Sequence, residues 1–292
     1  MISKAQIMIK KTIILVFLAL LFAGNLNAET KTYKMVFVPA SEKGDESDYT
    51  SFIAITEKLT GLNIETIKVT DYNAAVEAMR AGRAHIAWYG GKTYVKAAEI
   101  ASAEAFAAGV RPGEKDAGYY TFFVVKKDSK LKEFKDVKGK ILSLNTIGST
   151  SGDLIPQVEL NKINLSIKNK EHFEKVFYAG SHDACLLAVL NSQSNVCGMS
   201  SRNFEARLED RTFKKEDVRI IHKSDRVPPP PLAYSKMIPK EDRYKIKKAV
   251  LDAHKHGEIG GYGGKMSHYM EVKDSDYNVL REVIELLNKN KS

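Results

Sequence analysis

Ser149, Thr150 and Ser151 are three consecutive hydroxyl residues held between Gly148 and Gly152, after the apolar run Ile141, Leu142, Leu144 and before a helix-like segment. A hydroxyl-rich turn that opens a helix points unpaired backbone N–H groups outward, beside the positive end of the helix dipole. Such a turn can hold a phosphate-like anion without a cationic side chain. Ordinary N-capping by Ser149 or Ser151 is the plainer reading of the same residues. The rest of the chain must decide between them.

Other chemistry fits less well. A hydrolase built from Ser149 or Ser151 with His182 and Asp183 lacks the Gly-x-Ser-x-Gly elbow, because Thr150 occupies its centre. His182 and Asp183 are also neighbours in sequence, so Asp183 is badly placed to orient the imidazole from behind. His254 and His256 are two apart on a helix-like stretch and face different ways, so no metal site is expected. Gly257, Gly260, Gly261, Gly263 and Gly264 read as a loose loop with no strand before it, unlike a dinucleotide fingerprint. No cofactor is expected.

The elements that must position the hydroxyl turn alternate short β runs with helical patterns, which predicts an α/β fold. The first half reads as a strand at 35–38, a helix at 49–60 closed by Gly61, a strand at 63–69, a helix at 72–81 and a strand at 85–88. A long apolar strand at 119–125 is expected to carry the chain out of a first lobe. Strands at 141–144, 174–178, 196–199 and 218–222, with helices at 152–161 and 182–190, then build a second. After Pro228-Pro229-Pro230-Pro231 the chain returns through a strand at 232–234 and helices near 240–255 and 275–289. The expected division is lobe 1 over 29–126 plus 227–292 and lobe 2 over 127–226.

Residues 1–28 read as an export signal: Lys4, Lys10 and Lys11, an apolar stretch from Thr12 to Ala23, and a cleavage site near Ala28. That stretch is shorter than the roughly 18 to 20 residues of a spanning helix, so a soluble periplasmic protein is expected. The whole chain carries a formal charge of +9; the signal contributes three lysines and no acid. Scattered lysines on an exported protein suit long-range attraction of small anions better than nucleic-acid binding. Cys185 and Cys197 can bridge in an oxidising compartment, or remain two buried thiols.

With these pieces in order, the chain resembles the phosphonate-binding branch of the periplasmic substrate-binding proteins. Four stretches carry the resemblance: Leu59-Thr60-Gly61-Leu62, Met79 to Gly90, Gly148 to Pro156, and Ala179-Gly180-Ser181-His182-Asp183-Ala184. It implies a type II architecture, with two lobes of mixed sheet and flanking helices around a ligand cleft. It implies that Ser149, Thr150 and Ser151 hold the phosphonate oxygens, that His182 completes the cage, that Tyr94 reaches across the cleft, and that Tyr49 adds a contact. Asp183, Ser200, Ser201 and Arg202 are secondary candidates. Aminophosphonate binders use two acids to hold the ligand's ammonium; here the matching positions are Ser200-Ser201-Arg202-Asn203 and Pro230, and neither acid is present. The resemblance implies a monomer that binds a small phosphorus oxyanion and docks transiently on an ABC permease, or alternatively on a membrane sensor. It implies no catalysis.

Overall fold

The computed structural model describes residues 30–40 and 46–289. The expected export signal at 1–28 lies outside the described residues. From Thr32 onward the described chain forms one compact unit. Its first half runs β1 (Thr32–Phe37), α1 (Glu46–Thr60), β2 (Asn63–Ile67), α2 (Tyr72–Arg80), β3 (Ile86–Trp88), α3 (Gly91–Ile100) and β4 (Ala103–Val110). Then come β5 (Thr121–Lys126), β6 (Ile141–Leu144), α4 (Ile155–Lys162), β7 (Lys175–Tyr178), α5 (His182–Leu190), β8 (Val196–Ser200), α6 (Ser201–Glu209) and β9 (Val218–Lys223). The chain ends through β10 (Leu232–Ser235), α7 (Lys240–Asp252), β11 (Ile259–Gly261), β12 (Gly264–Met266), β13 (His268–Glu271) and α8 (Asn278–Lys289).

Two mixed sheets organise these elements. The first has the order β13-β4-β10-β3-β1-β2, with β1 parallel to β2 and β3, and β10 antiparallel to β3 and β4. The second has the order β7-β6-β8-β5-β9, with β6 parallel to both β7 and β8. Parallel strands bury both faces under helices and so read as nearly continuous apolar runs.

The pairing of β5 corrects the expected lobe boundary at 126. β5 lies between β8 and β9 in the second sheet, and its residues alternate between that sheet's two cores. Phe122 and Val124 pack with Leu186 and Phe204; Phe123 and Val125 pack with Leu142 and Leu160. The chain therefore leaves the first sheet before β5, along residues 111–120. It returns after β9 along the proline run. These crossings pair with each other, since Tyr119 and Val227 exchange both backbone hydrogen bonds at 3.1 and 2.8 Å.

Cys185 and Cys197 are disulfide-bonded, with Cα atoms 5.7 Å apart. The bridge fastens α5 to β8 inside the second core. The glycine-rich segment is not a loose loop: β11 and β12 form a hairpin, whose Ile259 and Met266 enter the core of the first lobe. Among the described residues no helix is long and apolar enough to cross a membrane.

Candidate functional site

The hydroxyl turn follows β6 at the C-terminal end of a parallel strand, where open α/β sheets present their ligand crevices. Residues Thr150–Leu154 form a single wide π-helical turn leading into α4. Ser149 caps it, its Oγ accepting from Gly152 N at 3.1 Å and from Asn145 Nδ2 at 3.3 Å. With both contacts donating to that oxygen, the Ser149 O–H is directed elsewhere. The amides of Thr150 and Ser151 open the turn and have no acceptor within it. Gly152 is required by crowding, because a Cβ there would lie 2.3 Å from Asn145 Cβ and 2.9 Å from the His182 ring.

His182, the first residue of α5, is buried against this turn. Its Nδ1 accepts from Ser200 N at 3.2 Å, and burial drives its pKa down to about 3. The imidazole is therefore neutral, with its proton on Nε2, available to donate. Among the described residues no group accepts from that nitrogen. Ser200 caps α6, accepting from Arg202 N at 3.2 Å. The starts of the α4 turn, α5 and α6 are thus fastened around one point, each with the positive end of its dipole inward.

The first lobe closes over this point. Lys92 N, in the first turn of α3, donates to Thr150 Oγ1 at 2.9 Å, and Thr93 Oγ1 donates to Gly148 O at 3.0 Å. Lys92 Nζ reaches Asp153 Oδ2, which also accepts from Gly148 N at 3.2 Å. Tyr178 donates to the other oxygen of Asp153 at 2.8 Å. His182 N donates to Ala40 O at 3.3 Å. Leu154 and Ile155 bury themselves in the first lobe's core.

The remaining expected residues take varied positions. Tyr49 is buried between Phe37 and Trp88, ring centroids 4.7 and 6.1 Å away, and backs the Trp88 indole. Tyr94 does not reach across the cleft. Its hydroxyl donates to Asp274 Oδ1 at 2.7 Å and accepts from Ala105 N at 3.2 Å, and its ring packs on Tyr277. Tyr94 shares a helix face with Gly91, which lies against Leu280 and Tyr277, and that face packs on α8 and the turn before it. Ser201 is engaged with Tyr120 on the crossing segment, through both its amide and its hydroxyl.

Arg202 is buried, but its guanidinium donates to Ala117 O at 2.7 Å and Gly109 O at 3.3 Å in place of standing free for an anion. Asp183 faces Arg207 at 3.6 Å. Among the described residues no hydrogen bond joins it to the His182 imidazole, so the geometry of a Ser–His–Asp relay is not assembled. Glu205 is likewise taken up, by Arg111 at 2.6 Å.

Sequence reasoning missed several neighbours. Tyr119 is buried with the hydroxyls of Ser151 and Thr150 beside its own; burial raises its pKa and those hydroxyls temper the rise. Thr121 Oγ1 donates to Ser151 O at 3.1 Å. Lys92, Asn145 and Asp153 complete the frame. Asn145 and Asp153 flank the turn within four residues, a local signal that was available.

Two α/β lobes with three helix starts gathered between them give the architecture of a type II binding protein. The model of the family described as ABC transporter, phosphonate, periplasmic substrate-binding protein matches residues 35–277, and the chain belongs to that family. The Phosphonates-binding periplasmic protein of Escherichia coli is 28% identical over 212 residues, covering 70% of this chain and 61% of that protein. The Phosphate-import protein PhnD of Mycolicibacterium smegmatis is 26% identical, covering 68% of this chain and 64% of that protein. The matches thus span a little under two thirds of both relatives. In fold, the chain is similar to PhnD1 of Prochlorococcus marinus, solved in complex with methylphosphonate: TM-score 0.75, 20% identity, 89% of this chain and 99% of that one.

Proposed function

We propose that this protein captures a small phosphorus oxyanion (phosphonate, phosphite or phosphate) outside the cytoplasm and delivers it to an ABC importer without turning it over. One observation carries the reading. Three helix starts and a neutral, Nε2-protonated His182 converge on the Ser149-Thr150-Ser151 turn. This is a concentration of hydrogen-bond donors suited to a tetrahedral anion. The printed names of the relatives, for phosphonates and for phosphate import, support the same ligand class.

In this reading Ser149, Thr150 and Ser151 hold the anion's oxygens with hydroxyls and amides, and His182 donates to one of them. Lys92 and the α3 start close the cage from the first lobe. The family implies an extracytoplasmic location, and the sequence supports cleavage near Ala28. The expected working form is a monomer that meets a membrane permease transiently.

Calorimetry on the mature chain with phosphate, phosphite, methylphosphonate and 2-aminoethylphosphonate tests the proposal. Saturable binding of at least one, lost in a Ser149→Ala, His182→Ala double variant, is expected. Absence of heat with all four would overturn it.

A further inference from the structure

We propose that Tyr262, at the tip of the β11–β12 hairpin, sets the upper size of the substituent on the ligand's phosphorus. This rests on the reading of the site given above. Tyr262 is nearly fully buried although it occupies a hairpin tip. Its ring packs on Trp88 at a tilt, with centroids 4.7 Å apart, and stands edge-on to Tyr119 at 6.5 Å. Tyr119 in turn lies beside the Ser151 and Thr150 hydroxyls. The Tyr262 hydroxyl donates to Asn203 Oδ1, in the first turn of α6. A hairpin rooted in the first lobe thereby bridges to the helix start that carries Ser200.

The hairpin is shaped for this approach. Gly263 has φ +80, and a Cβ there would lie 3.1 Å from Arg202 Cβ and 3.2 Å from Arg202 O. Only glycine lets the tip lie this close to α6 without strain. Ile259 and Met266 anchor the base of the hairpin in the core, so the tip is held from both ends.

An anion seated on the hydroxyl turn directs its oxygens at the helix starts and His182. Its remaining substituent then faces the Trp88–Tyr262–Tyr119 wall, which offers aromatic surface and little hydrogen bonding. Hydrogen, hydroxyl or methyl fits against such a wall. A longer chain must push Tyr262 off Trp88 and break its bond to Asn203. Tyr262 is thus a specificity-determining residue that acts by exclusion.

The test is a calorimetric series of phosphite, methyl-, ethyl- and propylphosphonate on the mature protein and on Tyr262 variants. Affinity of the wild type should fall about tenfold or more from methyl to propyl, the scale set by surplus methylenes in a closed pocket. Tyr262→Ala should shrink that ratio about tenfold, whereas Tyr262→Phe, which keeps the ring, should preserve most of it. Circular dichroism melts verify folding; if the alanine variant does not fold, Tyr262→Leu is expected to shift the ratio the same way. Propylphosphonate binding as tightly as methylphosphonate, or an unchanged ratio in the alanine and leucine variants, overturns the proposal while leaving the oxyanion reading intact. Failure of the wild type to bind any of the series overturns both.

Discussion

Lys92 Nζ lies 2.5 Å from Asp153 Oδ2, an ion pair that joins the first turn of α3 to the hydroxyl turn across the cleft. Arg111 makes a second tie, to Glu205 and Glu209 of α6, each at 2.6 Å. The Asp153 side chain is only 2% exposed, so its pair with Lys92 is weakly screened by salt and costly to break from one side.

Lys92→Met should therefore loosen the closed arrangement. Methylphosphonate affinity is expected to fall about tenfold, roughly 1.4 kcal/mol, and small-angle scattering of the unliganded variant should show a larger radius of gyration than the wild type. A variant matching the wild type in both would remove Lys92 from the account of closure.

Burial holds His182 near pKa 3, against 6.5 for the free side chain. Between those values the unfolded chain binds the proton and the folded chain does not. This residue's contribution is therefore complete above about pH 6.5 and is lost as pH falls from there towards 3. The slope approaches about 1.4 kcal/mol per pH unit. Urea unfolding near neutral pH and near pH 5 should show wild type losing more stability than His182→Gln. Parallel losses in the two proteins would mean that the imidazole charges without resistance.

The Cys185–Cys197 bridge closes a short loop, with a sequence separation of 12. The chain-entropy model gives such a loop about 3 kcal/mol. A Cys185→Ala, Cys197→Ala variant should unfold at correspondingly lower urea, and reductant should shift the wild type the same way while leaving the variant unmoved. Equal stability with and without reductant would show that the bridge does not form in solution.

Among the described residues, the acids near the cage are each paired. Glu205 is paired with Arg111, Asp183 faces Arg207, and Asp153 holds Lys92. Ethylphosphonate is expected to bind at least as tightly as 2-aminoethylphosphonate at equal salt and pH. A preference of about tenfold for the amine, near 1.4 kcal/mol, would mean that an acid does hold the ligand's ammonium.

Local chemistry made the hydroxyl turn and the start of α5 legible in sequence, whereas the start of α6 was not read as a helix. Ser149, Ser181 and Ser200 each cap a helix start through their own hydroxyl, and capping depends on residues within three positions. Strand β5 was legible as a strand but not as a member of the second sheet, because an apolar run buried on both faces carries no address. Tyr94 and Arg202 were expected at the ligand and instead bond to Asp274 and Ala117. Such long-range partners leave no trace in nearby sequence. The β11–β12 hairpin did carry a signal, two short runs joined through Tyr262-Gly263, which the surrounding glycines obscured.

Trp88 is the chain's single tryptophan, and it stands between Tyr49 and the Tyr262 tip. Movement of the first lobe relative to α6 breaks the Tyr262–Asn203 contact, whose tyrosine ring lies against that one indole. The protein therefore carries its own optical gauge. Excited selectively, that single indole is expected to report changes at the Tyr262–Asn203 contact without a dye or a tag. Ligand screening and stopped-flow kinetics can both be read from the unmodified chain.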